Sequence, residues 1–167
     1  MKLTGTARWD NHFLEMAILN AKLSKDPSTK VGAIITSKDN HLISAGFNGL
    51  PRGIEDTEER LNNRDLKLQL VVHGEMNAVL AAAKLGAPLR DSTIYTVATD
   101  KSGAIWGGIC SNCAKHIIQV GISKVVTYST ITMPARWTKD MIYAKEILQE
   151  AQIEYLEYNI DTGELNE

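Results

Sequence analysis

Hydrophobic positions in the first third of the chain predict a helix followed by a β-hairpin. Apolar residues recur at helical spacing from Trp9 to Leu23, and Asp26-Pro27 ends the pattern. The segment from Lys30 to Thr36 is a β-branched run, and apolar residues return from His41 to Phe47 after a polar turn. Two such runs joined by a short polar turn indicate paired antiparallel strands.

The segment after the hairpin has no clear hydrophobic period. Asn48 to Gly53 is rich in Gly and Pro, which indicates a shaped loop, and the charged stretch that continues to Lys67 shows no strand pattern. We therefore expect a long connection here. Loops of this length within a domain are frequently functional.

Helices and strands alternate over the second half of the chain. The predicted helices are His73–Leu85, Cys110–Val120 and Lys139–Ala151, and the predicted strands are Thr93–Thr99, Lys124–Tyr128 and Ile153–Tyr158. This alternation implies a largely parallel sheet with helices on both faces, so the fold class is α/β. We predict a single domain over residues 1–160 and a frayed acidic tail over residues 161–167.

Composition and charge exclude several classes of protein. The 167 residues are 44% hydrophobic and 23% charged, as in an ordinary globular domain. The net charge of -2 supplies no broad positive field for nucleic acid, and no apolar run approaches the ~20 residues of a membrane span. Two cysteines are too few and too close together for a secreted disulfide framework, so we expect a cytoplasmic protein.

Three residues at predicted helix starts have the chemistry of metal ligands. His73 opens one helix, and Cys110 and Cys113 open the next, with a strand between them. The positive end of a helix macrodipole favours deprotonated sulfur, which is the form that binds a metal. One imidazole and two thiolates are a ligand set that selects zinc.

The number of ligands separates a catalytic zinc site from a structural one. Structural zinc has four protein ligands, whereas catalytic zinc has three and leaves one position for water. His116 is a rival fourth ligand because it lies three residues after Cys113 on the same helix. A redox pair formed by Cys110 and Cys113 is a further alternative.

Glu75 is the candidate for proton transfer. As a carboxylate in the first turn of a helix, it can simply stabilise the macrodipole by about 0.3–1 kcal/mol. Beside zinc it has a second role, because zinc lowers the pKa of water towards ~7 and a neighbouring carboxylate can then accept the proton. We therefore expect Glu75 to act as the acid and base of a hydrolytic reaction.

Several blocks of sequence closely resemble the deoxycytidylate (dCMP) deaminase family. The blocks are Ser24–Ala33, Gly46–Gly53, His73–Ala78 and Cys113–Gln119, and they occur in order. The resemblance implies a three-layer α/β/α cytidine-deaminase-like fold with a five-stranded mixed sheet. It also implies hydrolysis of dCMP to dUMP and ammonia, with zinc bound by His73, Cys110 and Cys113 and with Glu75 as the proton shuttle.

The resemblance also suggests substrate contacts. Asn48 corresponds to a contact with the deoxyribose, although an Asn-Gly pair is also typical of a turn with a left-handed backbone. Ser24 and Lys25 correspond to donors for the phosphate, and the alternative interpretation is a helix end followed by solvated polar residues.

The chain departs from the family pattern at three places. Gly74 stands where Ala is usual, Ile109 replaces the proline before the first cysteine, and residues 100–108 form an added segment that we expect to be a lid or a subunit contact. Because Ile131 falls where relatives often have an aromatic residue, base stacking would come from another ring. The candidates, each also explained as packing, are Tyr128, Trp106 and Trp137.

Partners and regulation are expected from the resemblance alone. It suggests a homo-oligomer, with a hexamer favoured, and dCTP and dTTP as effectors that act near Gly46–Gly53, with Mg²⁺ accompanying a bound nucleotide. The alternative activities are deamination of a modified deoxycytidylate or of dCTP. A non-catalytic nucleotide-binding module stabilised by zinc, with His116 as the fourth ligand, is the alternative outside catalysis.

Overall fold

A mixed β-sheet forms the centre of the computed structural model, which describes residues 5–129 and 133–166. The strands are β1 (Thr29–Thr36), β2 (Leu42–Phe47), β3 (Thr93–Asp100), β4 (Ile105–Trp106), β5 (Lys124–Tyr128) and β6 (Glu154–Tyr158). Five of them lie in the order β2-β1-β3-β5-β6, and the two-residue β4 pairs with the end of β3. The prediction of a five-stranded mixed sheet is confirmed, with β4 as an unpredicted addition.

Helices cover both faces of this sheet. They are α1 (Gly5–Ala21), α2 (Glu58–Asn62), α3 (Arg64–Leu70), α4 (Gly74–Leu85), α5 (Ser111–Gln119) and α6 (Thr138–Glu150), with a 3₁₀ turn at Ala135–Trp137. Helix α1 packs on one face, and α4, α5 and α6 pack on the other. The predicted three-layer α/β/α arrangement is therefore confirmed.

The sheet is less parallel than the alternation of elements indicates. Strand β1 is antiparallel to both β2 and β3, whereas β3, β5 and β6 are parallel. The reason is the position of β1, which lies between β2 and β3. Strands β2 and β3 run in the same direction, as a helical crossover requires, but they are not neighbours.

The charged stretch that the sequence predicts to be a loop contains two short helices, α2 and α3. Thr57 caps α2 by accepting a hydrogen bond from the backbone N–H of Arg60, and Asn63 caps α3 by accepting one from Leu66. Neither helix has a buried residue. Without a buried face there is no apolar period, so the hydrophobic pattern could not reveal them.

Alternate residues of the central strand build two separate cores. On β3, Ile94 packs among α4, α5 and α6, whereas Tyr95 packs against α1. This is the period of two that a strand with both faces covered must have. Gly46 of β2 brings α4 especially close, because a Cβ at this position would lie 2.3 Å from the backbone nitrogen of Ala78.

The chain after β6 folds back on the domain. The N–H of Asn166 donates to the carbonyl of Glu157, and the side chain of Asn11 in α1 donates to the carbonyl of Gly163 at 2.8 Å. Residues 161–166, which we expected to be frayed, are held by these bonds, and Glu167 lies outside the described residues. The extent of the single domain, residues 1–160, stays a prediction.

No helix within residues 5–129 and 133–166 combines the length and the apolar character that crossing a membrane requires.

Asp10 is a buried carboxylate that joins α1 to three strands. Its oxygens accept hydrogen bonds from the hydroxyls of Tyr95 at 2.8 Å and Tyr158 at 2.7 Å, and Lys124 Nζ lies 3.3 Å away. Burial, and next the Asp10 carboxylate, raises the pKa of Tyr95. Burial, and next the hydrogen bond to Asp10, likewise raises the pKa of Tyr158, so both tyrosines remain neutral donors.

Replacing Asp10 should destabilise the fold strongly. Asp10→Ala leaves the half-buried Lys124 ammonium and two buried hydroxyls without their partner, which should lower the free energy of unfolding by about 3–5 kcal/mol. Lys25→Ala is the matched control, because Lys25 belongs to an exposed ion pair with Asp56 and should cost at most about 1 kcal/mol. Urea unfolding measures both, and equal losses would contradict this role of Asp10.

Candidate active site

The three candidate metal ligands meet at the ends of two helices. His73 is the N-cap of α4, Cys110 is the N-cap of α5, and Cys113 lies in the first turn of α5. His73 Nδ1 lies 3.3 Å from Cys110 Sγ and 3.5 Å from Cys113 Sγ. Among the described residues, these three form a group whose ligand atoms all lie within 4.8 Å of one another.

The topology of the sheet explains why these helix ends meet. Helix α4 follows β2, and α5 follows the β3–β4 hairpin. Because β2 and β3 run in the same direction, the connections that leave them reach the same edge of the sheet. Crevices at the carboxyl ends of strands are the usual ligand sites of α/β proteins.

The donor set fits a zinc ion. Imidazole nitrogen and thiolate sulfur are the ligands that zinc prefers, and both cysteines are free. Contact with Cys113, and next with His73, lowers the pKa of Cys110 to about 4, and contact with Cys110 raises the pKa of His73 to about 9. The site therefore stabilises a thiolate at Cys110 beside positive charge on His73, whereas contact with Cys110, and next burial, raises the pKa of Cys113.

Glu75 lies directly beside these ligands. Its side chain is only 4% exposed, and Oε2 has no hydrogen-bond partner among the described residues. Burial, and next the nearby Cys110, raises the pKa of the Glu75 carboxyl above its usual value. The carboxyl also lies close enough to Cys113 to help raise the pKa of that thiol. A buried acid with an unpartnered oxygen is suited to exchanging a proton with a bound molecule.

His116 does not join the ligand group. Its Nδ1 lies 2.6 Å from the carbonyl oxygen of Asn112, in the preceding turn of its own helix. The four-ligand arrangement that a structural zinc site requires is therefore not formed with His116.

Asn48 lines a cavity of about 510 Å³ that extends to His73. Its Oδ1 accepts a hydrogen bond from the backbone of Val31 at 2.7 Å, and its Nδ2 donates to the carbonyl of Thr29 at 2.8 Å. Its backbone is not among those with positive φ, so the left-handed turn that we considered does not occur. The side chain instead ties the loop after β2 to the start of β1.

Ser24 and Lys25 are not among the residues that line this cavity. Ser24 is buried, and its Oγ accepts a hydrogen bond from the N–H of Asp26 at 3.2 Å. Lys25 is exposed and lies 2.7 Å from Asp56. Their role in substrate binding stays a prediction.

Three cations that the sequence did not single out line the cavity instead. They are Arg64, Lys67 and Arg136. Lys67 Nζ lies 3.0 Å from Asp26 Oδ1 and 3.2 Å from Ser28 Oγ, so its charge is already paired. Arg64 and Arg136 lie on α3 and in the 3₁₀ turn, far apart in sequence and without a motif that links them to the site.

The added segment, residues 100–108, begins as an exposed turn, and only residues 106–108 are buried. The segment forms the β3–β4 hairpin, Trp106 is 1% exposed, and no residue of the segment lines the cavity. The expected lid is therefore not formed, and the subunit contact stays a prediction. Of the three candidate rings for base stacking, Trp106 and Tyr128 are buried, whereas Trp137 lines the cavity; Ile131 lies outside the described residues.

The structure explains why residue 74 is a glycine. A Cβ at this position would lie 2.8 Å from the carbonyl oxygen of Val31. The absence of a side chain therefore lets the start of α4, with His73 and Glu75 on either side, lie directly against β1.

Comparisons with known proteins agree with this geometry. The family model described as the cytidine and deoxycytidylate deaminase zinc-binding region matches residues 7–129. The chain is 36% identical over 149 residues to an uncharacterized deaminase from the luxG 3′ region of Aliivibrio fischeri, covering 89% of this chain and 92% of that protein. It is 35% identical over 128 residues to mouse deoxycytidylate deaminase, covering 72% of this chain and 65% of the mouse protein, just under two thirds.

A solved structure shares the fold. It is the dCMP deaminase of the cyanophage S-TIM5 in complex with dCMP and dUMP, with a TM-score of 0.66 and 23% identity, covering 91% of this chain and 98% of that chain. The fold and the His-Cys-Cys cluster with its adjoining carboxyl define the class of zinc-binding, cytidine-deaminase-like proteins. Within this class, the chain belongs to the cytidine and deoxycytidylate deaminase family.

Metal analysis should separate the three-ligand site from a four-ligand one. Cys113→Ala removes a ligand from the group and should abolish stoichiometric zinc. His116→Ala, on the same helix, should retain one zinc per chain because the His116 ring bonds to its own helix. Zinc is measured by elemental analysis after dialysis against a weak chelator, and loss of zinc from the His116 variant would contradict the three-ligand site.

Proposed function

We propose that this protein is a zinc-dependent hydrolase that converts dCMP and water to dUMP and ammonia. The observation on which the proposal depends is the buried Glu75 carboxyl, with one oxygen unpartnered, beside three metal donors rather than four. Membership of the deaminase family and the similarity to mouse deoxycytidylate deaminase support the choice of reaction.

His73, Cys110 and Cys113 would hold the zinc ion. Zinc acts as a Lewis acid that makes water acidic enough to lose a proton near neutral pH. Three protein ligands is the number found in catalytic zinc sites.

Glu75 moves the protons of the reaction. It takes one proton from the attacking water and gives it to N3 of the cytosine as the new C–O bond forms at C4. It then takes the remaining proton from the new hydroxyl on C4 and passes it to the amino group as the C–N bond breaks, so that ammonia leaves and the C4 carbonyl of dUMP forms. Burial is the chief cause that raises the pKa of the Glu75 carboxyl above its ordinary value, which makes the carboxylate a better proton acceptor than an exposed one.

The cavity is lined by groups that can bind the sugar and the phosphate of dCMP. Asn48 Nδ2 uses one hydrogen on the Thr29 carbonyl, which leaves the other for a deoxyribose hydroxyl. Arg64 and Arg136 line the cavity, and neither belongs to an ion pair among the described residues, so they are the free cations for a phosphate monoester. Guanidinium groups match phosphate oxygens in charge and geometry.

The finer features of this function rest on the family resemblance. They are a homo-oligomer with a hexamer favoured, and regulation by dCTP and dTTP with Mg²⁺ at the bound effector. The proposed cytoplasmic location rests instead on the two cysteines, which are too few for a secreted disulfide framework. Size-exclusion chromatography with light scattering, with and without dCTP and Mg²⁺, tests the assembly and its response to nucleotide.

Removal of the Glu75 proton shuttle should abolish turnover and leave the site intact. Glu75→Gln has nearly the same shape but cannot carry a proton, so kcat should fall by about 100- to 10,000-fold with zinc content unchanged. Cys110→Ala should lose both zinc and activity. Ammonia release from dCMP and elemental analysis measure these effects, and a fully active Glu75 variant would end the proposed mechanism.

Neutralising the cavity arginines should weaken recognition of the phosphate. A hydrogen bond to a charged group contributes about 1.5–3 kcal/mol, so Arg64→Gln or Arg136→Gln should lower kcat/KM for dCMP by about 10- to 100-fold. The same variants should leave turnover of deoxycytidine, which has no phosphate, unchanged.

Lys25→Gln tests the competing phosphate donor. Lys25 is an exposed cation outside the cavity, so if the arginines bind the phosphate, its replacement should leave kcat/KM for dCMP unchanged. A loss with Lys25→Gln and none with either arginine variant would move phosphate binding from the cavity arginines to the turn after α1. A substrate panel of dCMP, dCTP and deoxycytidine gives the preferred substrate.

A further inference from the structure

We propose that Asp140 is a positioning residue that fixes the two cysteine ligands through the first residue of their helix. Asp140 lies in the first turn of α6. Its Oδ2 accepts a hydrogen bond from the backbone N–H of Ser111 at 3.0 Å, and its Oδ1 accepts one from Ser111 Oγ at 2.6 Å. Ser111 directly follows Cys110, so both carboxylate oxygens hold the start of α5.

The chain before Cys110 is held from the other side. The N–H of Gly108 donates to Thr127 Oγ1 at 2.8 Å, and this hydroxyl in turn donates to the carbonyl of Thr96 at 2.8 Å. A Cβ at Gly107 would lie 1.7 Å from the carbonyl oxygen of Tyr128, so the backbone lies directly against β5. The residues before Cys110 therefore contact β5, and the residue after it is hydrogen-bonded to α6.

Local sequence does not fix this segment by itself. Gly107 and Gly108 precede Ile109, and Gly108 has a φ of 112°, a conformation that glycine adopts freely. A proline at Ile109 would have restricted the backbone, but the chain has none there. The position of Cys110 therefore depends on contacts from other elements. On the C-terminal side of Cys110, these contacts are the two hydrogen bonds between Ser111 and Asp140.

Asp140 acts on the site without being a ligand. It is not a member of the group formed by His73, Cys110 and Cys113, and both of its oxygens are engaged with Ser111. Outer groups that orient metal ligands commonly contribute about 10- to 100-fold to metal affinity. Asp140 thus holds Cys110 and Cys113 within reach of His73, and its loss should loosen the bound metal.

Metal release tests this role without reference to turnover. Asp140→Asn keeps the size of the side chain but offers one acceptor for the two Ser111 donors, and it should weaken zinc affinity by about 10- to 100-fold in a chelator competition. Asp140→Glu restores two acceptors and should recover part of the loss. Glu146→Gln is the matched control, since Glu146 is exposed on the same helix and should retain wild-type affinity.

A spectroscopic measurement separates positioning from general instability. With Co²⁺ in place of zinc, the sulfur-to-cobalt and d–d absorption bands of the Asp140→Asn variant should shift, and urea unfolding of the metal-free protein should stay close to that of the Glu146 control. Wild-type zinc affinity and wild-type cobalt bands in Asp140→Asn would overturn the proposal. If that variant does not fold, Ser111→Ala decides, because it removes only the 2.6 Å bond and should give a smaller change in the same direction.

The proposal rests on the metal site and not on the reaction. A wild-type protein that binds zinc but does not deaminate dCMP would refute the proposed function and leave the role of Asp140 open to the same measurements. A wild-type protein that binds no metal would overturn both.

Discussion

The close approach of two helix N-termini at one edge of the sheet determines what this protein can do. His73 and Cys110 occupy the N-cap positions of α4 and α5, and Cys113 follows within one turn, so three donors meet. The approach depends on packing that leaves no room for side chains, because Gly46 and Gly74 let α4 lie directly on the backbone of β2 and β1. Helix dipoles then favour thiolate at the place where the metal is required.

Burial also changes the acidity of the Glu75 carboxyl. The same packing that brings the donors together excludes Glu75 from water, and this raises the pKa of its carboxyl. An exposed carboxylate at a helix start would stay ionised and merely stabilise the helix. The cationic side chains lie elsewhere, along the cavity wall, so the proposed function assigns the phosphate and the base of dCMP to separate groups.

The sequence predicted the metal donors and Glu75 because these residues occur in short motifs at the starts of strongly patterned helices. The same reasoning missed Arg64 and Arg136, since each belongs to a short, exposed element with no hydrophobic period, and only the fold brings them to one cavity. It also expected a lid or a subunit contact at residues 100–108, where the end of the segment, with the buried Trp106, instead packs inside the molecule and forms no lid. Spacing along the chain reports local geometry, whereas the cavity wall depends on which elements become neighbours.

The central claim is that a site with three protein donors and an adjoining buried acid hydrolyses dCMP. The most direct measurement is a zinc titration of protein stripped by a chelator, in which bound metal and ammonia released from dCMP are followed in the same sample. We expect ammonia release to rise in proportion to bound zinc and to saturate at one zinc per chain. Full occupancy by zinc without ammonia from dCMP would contradict the proposed reaction.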